Sequence, residues 1–83
     1  MGVKRRGDPK YDEGKLSQLG TALRNARNAR GLSQEALADA AGINRTHIGE
    51  VERGKRNVSF LHFCRIADAL GRKPSDLLAE VSL

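Results

Sequence analysis

The chain has one cysteine, Cys64. A single thiol excludes an internal disulfide and fits a reducing cytoplasm better than an oxidising compartment. Long apolar runs are also missing, and none approaches the roughly 20 residues that a membrane-spanning helix needs. A membrane is therefore not an expected partner. Arg5-Arg6 leads into no apolar stretch, which argues against a secretory signal. Position 6 is Arg where N-myristoylation after Gly2 wants Ser or Thr. Histidine is scarce as well: the two are His47 and His62, and His62-Phe63-Cys64 is at best a fragment of a metal site. Neither a nucleophile–base pair nor a glycine-rich phosphate loop before a helix occurs. No catalytic residue, no metal and no cofactor are expected.

What is present is positive charge in a short chain. The 83 residues carry a net charge of +5 with a pI near 10.0. That length suits one domain, near the size at which a single core becomes marginal, and the charge suits a polyanionic partner. Residues 1–15 hold three glycines, a proline, five basic and three acidic residues with no apolar periodicity. They read as a mobile basic arm. Lys4, Arg5 and Arg6 are its candidates for lying along phosphates or in a minor groove. Residues 16–83 read as the folded domain.

From Leu16 onward the helical signals are dense. Leu16, Leu19, Leu23 and Ala26 recur at helical spacing, and Gly31 supplies a stop. Ser33, Asn44 and Ser59 are N-caps for helices two, three and four. Each has a matching hydrophobic staple: Leu32 with Leu37, Ile43 with Ile48, and Val58 with Phe63. Gly42, Gly54 and Gly71 end the preceding helices, and Pro74 opens a short fifth helix running to about Val81. No strand pattern competes. The expected architecture is all-α, a compact five-helix bundle. Its core is Leu19, Leu23, Leu37, Ala38, Ala41, Ile43, Ile48, Val51, Phe60, Phe63, Ile66, Ala67, Leu70, Leu77 and Leu78.

Within this bundle, helices two and three are joined by a short glycine-containing turn, which is a helix-turn-helix. On a wheel at about 100° per residue, Arg45, Thr46, Gly49, Glu50 and Arg53 share one polar stripe, opposite Ile48 and Val51. Arg45, in the first turn, is placed to pair with guanine, and Thr46 with a thymine methyl or a phosphate. Gly49 costs helix propensity, which close approach to a groove would justify. Glu50 fits if it accepts from a cytosine amino group, or if it holds Arg45 or Arg53. Base contacts are thus assigned to Arg45, Thr46, Gly49 and Glu50. Phosphate contacts are assigned to Gln34, at the start of helix two, and to Asn44, Arg53, Lys55, Arg56 and Asn57.

These residues carry a resemblance. LRNARNARGLSQEALADAAGI, RTHIGEVERGKRNVS, FCRIADALG and PSDLL, in that order, resemble the Cro/phage-repressor (XRE) helix-turn-helix family over roughly Leu19 to Leu78. Within that family the chain is most similar to the controller proteins of restriction–modification systems. The resemblance implies a lambda-repressor-like domain that binds operator DNA near its own gene as a symmetric dimer. It also implies an ion pair between Arg27 in helix one and Glu52 at the end of helix three. His47 stands where the family often has an aromatic residue.

A two-fold dimer on a pseudo-palindrome is expected, because one domain reads few base pairs. Helices four and five are the expected seam, with Leu61, Cys64, Leu77, Val81 and Leu83 as candidates and Leu61 and Val81 foremost. The expected partners are double-stranded operator DNA, a second copy of the chain and RNA polymerase. The competing reading is a protein-binding module, such as the antitoxin of a toxin–antitoxin or prophage system. The polar arm counts against it, since such a module would carry a long exposed apolar segment.

Overall fold

The computed structural model describes residues 7–82, and those residues form five α-helices and no strand. The helices are α1 (Pro9–Ala29), α2 (Gln34–Ala41), α3 (Arg45–Glu52), α4 (Phe60–Ala69) and α5 (Pro74–Leu78). The starts of α2, α3 and α4 are set by side chains that accept hydrogen bonds from first-turn amides, which have no intrahelical acceptor. Ser33 accepts from the Ala36 amide at 3.0 Å, Asn44 from Thr46 at 2.8 Å and Ser59 from His62 at 3.1 Å. The turn between α2 and α3 depends on Gly42, whose φ of 67° is strained for any residue with a Cβ. With Gly42 in that conformation, Ile43 donates back to the Ala38 carbonyl and Gly42 to that of Asp39, closing the helix.

Helix α1 starts earlier than the apolar pattern indicates. Asp8 accepts from the Lys10 amide at 2.8 Å and Pro9 takes the first helical position. Residues 9–15, expected in the arm, are therefore helical, and Lys15 lies over the Tyr11 ring. Lys4, Arg5 and Arg6 lie outside the described residues.

Most of the expected core is buried, with Leu23, Leu37, Ile48, Ile66 and Leu77 fully enclosed. Leu19 packs against this core while remaining partly exposed. Phe60 and Leu78 do not belong to it, being 75% and 39% exposed. Phe60 continues the buried line Phe63, Ile66, Ala67, Leu70 by one turn, but at the first residue of α4 it runs past the edge of the bundle. The five-residue α5 turns Leu77 inward, which points its neighbour Leu78 out. Ala22, Ala26 and Val81 take up buried positions instead. Where α1 crosses the end of α3, Gly20 has no room for a side chain. A Cβ there would come within 2.8 Å of the Glu52 carbonyl carbon. No helix among the described residues is long and apolar enough to cross a membrane.

Candidate nucleic-acid interface

The frame of the site is a buried carboxylate. Glu52, only 3% exposed, ends α3 and receives Arg27 from α1 side-on. Arg27 Nε donates to Oε2 at 2.7 Å and Nη2 to Oε1 at 3.0 Å, a bidentate pair. The guanidinium also donates to the Leu32 carbonyl at 2.8 Å, reaching the loop before α2. The hydrogen bonds to Glu52 raise the pKa of Arg27 above its ordinary value, against the opposing effect of burial. The pair implied by the family resemblance is therefore present. It has two further members that sequence reasoning missed. Arg24 approaches Glu52 Oε1 at 3.7 Å, and Gln34 Nε2 donates to the same oxygen at 3.1 Å. The helical spacing of Arg24 and Arg27 was the available signal for the first.

Gln34 thus stands at the start of α2 with one amide hydrogen committed to Glu52, leaving the second for another acceptor. Its carboxamide is held in place before any ligand arrives.

On α3, Arg45 and Thr46 are exposed in the first turn. Ile48 and Val51 face the core, as the wheel requires. Two members of the stripe are placed differently from expectation. Gly49 is buried, since Arg53 Nη1 and Gln34 Oε1 lie over it, 3.2 and 3.5 Å from where a Cβ would be. A base could approach it only after those side chains move aside, so its missing Cβ makes room within the protein. Glu50 holds neither Arg45 nor Arg53. Arg56, from the loop after α3, donates to Glu50 Oε1 through Nε at 3.2 Å and Nη2 at 3.1 Å.

Asn44, Arg53, Lys55, Arg56 and Asn57 are all exposed, and all sit on the cap of α3 or the loop beyond it. That loop is fixed against α1. Gly54 has a φ of 71°, and its backbone lies so close to Ser17 that a Cβ would meet the Ser17 Cα at 2.8 Å. The outer face of α3 is therefore a short polar strip with exposed Arg45 and Thr46 at one end and a fixed basic loop at the other. Such a surface suits a polyanion whose groove admits a helix.

Of the seam candidates, Leu61 is 68% exposed beside Phe60 at the start of α4. Leu77 and Val81 are buried within the single chain, so neither can form a seam there. Val81 is drawn inward by the turn after α5, where the neighbouring Ser82 amide donates to Gln18 of α1. Cys64 is half-buried, and Leu83 lies outside the described residues.

Comparison with known proteins identifies the family of the fold. The family model HTH_3, Helix-turn-helix, matches residues 23–77. The chain is 42% identical over 65 residues to Control protein C.SmaI of Serratia marcescens, covering 78% of this chain and 77% of that protein. It is 49% identical over 47 residues to Control protein C.BamHI of Bacillus amyloliquefaciens, covering 57% and 58% respectively. Among solved structures it is similar to the restriction-modification controller protein C.AhdI of Aeromonas hydrophila. There the identity is 47% and the TM-score 0.74, over 75% of this chain and 94% of the other.

Proposed function

This chain belongs to the helix-turn-helix family of DNA-binding transcription regulators, not of enzymes, and on that premise we propose that it is the controller of a restriction–modification system. In this reading it binds a pseudo-palindromic operator near its own gene as a dimer and works in the cytoplasm. RNA polymerase is its further partner, because a protein seated at a promoter either obstructs or recruits it.

The observation that carries this reading is the outer face of α3. Arg45 and Thr46 project from a helix whose other end is locked by the Glu52–Arg27 pair. A recognition helix must present its side chains without reorganising, and a buried bidentate pair at its base provides that rigidity. In the complex, Arg45, Thr46 and Glu50 read base edges. Gln34, Asn44, Arg53, Lys55 and Asn57 line the phosphates on either side. The second hydrogen of Gln34 Nε2 and the first-turn amides of α2 suit an anion. Phe60 and Leu61 form an exposed apolar patch on α4, which a second copy of the chain covers in this reading.

The test is a gel-shift titration against the DNA just upstream of its own gene, with scrambled competitor, for wild type and Arg45→Ala. Competitor-resistant binding that Arg45→Ala weakens by about tenfold or more is expected, the size of one bidentate base contact. Equal, weak binding to every DNA would reject the operator reading.

A further inference from the structure

Glu50 presents a difficulty for any surface that binds DNA, because a carboxylate among phosphates is repelled. Its local structure removes the difficulty. Arg56 places both Nε and Nη2 on a single oxygen, Oε1. The main chain returns to the same residue, with the Lys55 amide donating to the Glu50 carbonyl at 2.9 Å. Gly54, pressed onto Ser17, fixes the path that carries Arg56 over α3. The loop is thus tied to residue 50 by backbone and side chain together, while Glu50 and Arg56 keep side-chain exposures of 30% and 49%.

We infer that Arg56 is a specificity-positioning residue rather than a phosphate anchor. It neutralises Glu50 and fixes its carboxylate so that Oε2 accepts from the exocyclic amino group of a cytosine in the major groove. An ionised carboxylate can only accept, and among base edges in that groove it therefore selects those bearing an amino donor. A carboxylate already paired with a cation enters the field of the phosphates as a near-neutral unit. Because the pair is formed in the free protein, little side-chain order remains to be imposed on binding. The inference replaces the expected phosphate contact of Arg56, and it rests on the operator reading above.

The experiment is selection of operator variants carrying each base-pair substitution. It uses the full chain as wild type, Arg56→Gln, Arg56→Lys, Glu50→Gln and the double variant Glu50→Gln/Arg56→Gln, with Lys55→Gln as a loop control. Both single glutamine variants should lose preference at the same base pair in each half-site, by about tenfold, the size of one good base contact. The double variant should lose no more than Glu50→Gln alone. Arg56→Lys, which restores the charge and one donor, should recover part of the preference. The salt dependence of Arg56→Gln should match that of wild type, whereas Lys55→Gln should bind all sequences more weakly with a slope shallower by about 1 per protomer. Even weakening of every sequence by Arg56→Gln with a shallower slope would make Arg56 a phosphate contact and overturn the inference. So would preferences that differ between the two single variants. The wild-type arm separates the failures: absence of any base preference there overturns the operator reading and this inference with it.

Discussion

The rings of His47 and His62 meet edge to face with centroids 5.1 Å apart, where α3 faces α4. Nε2 of His47 and Nδ1 of His62 are buried and have no hydrogen-bond partner among the described residues. Burial lowers the proton affinity of His47, and Arg56 and His62 lower it further, against an opposing pull from Glu50. The folded chain therefore binds fewer protons at His47 than the unfolded chain, whose histidine titrates near 6.5. The contribution to stability is whole above that pH and is lost as pH falls from there through the lowered folded value. Melting curves at about pH 7.5 and about pH 5.5 should show wild type losing more stability on acidification than His47→Gln. Equal losses in the two proteins would mean that His47 titrates alike folded and unfolded.

At the scale of elements, Glu52 joins three helices, drawing Arg27 and Arg24 from α1 and Gln34 from α2 to the end of α3. Removing Arg27 leaves a carboxylate enclosed with weaker partners, since Arg24 is half-exposed and 3.7 Å away. Arg27→Ala should cost about 3 kcal/mol, toward the lower end for a broken buried pair because those partners remain. For a domain of this size that lowers the melting temperature by more than about 10 °C. Arg24→Ala, removing an exposed partner, should cost less than about 1 kcal/mol. A melting temperature for Arg27→Ala within about 2 °C of wild type would show that the pair holds nothing together.

For the whole molecule, a dimer making about 8 phosphate contacts should show log K falling against log salt with a slope near about −7. A slope near zero would remove the backbone contacts of Gln34 and Lys55. Association itself is testable at the apolar patch. Leu61 is exposed, so Leu61→Asp should leave the fold of the single chain intact. In the operator reading it should convert a dimer to a monomer in sedimentation and weaken operator binding by about tenfold or more. Unchanged mass would place the seam elsewhere.

The helix starts of α2, α3 and α4, the turn at Gly42, the buried face of α3 and its exposed Arg45 and Thr46 were all legible in the sequence. Caps, staples and the 3.6-residue period are local, and each element's own residues determine them. The start of α1 was written locally too, in Asp8-Pro9, but the absence of an apolar stripe hid it. What only the tertiary structure decided depends on which chain segments meet. Phe60 and Leu78 lie outside the core because the bundle ends before them, and Val81 lies inside because the tail folds back over α1. Gly20 is required by the α3 backbone passing over it, not by any turn of its own. Gly49 is covered because Gln34 of α2 and Arg53 at the cap of α3 come together over it, and Glu50 is paired with Arg56 because the loop after Gly54 turns back along α3. A period and a cap specify a helix and its buried side; the partner of each polar side chain is set by the packing of the other helices around it.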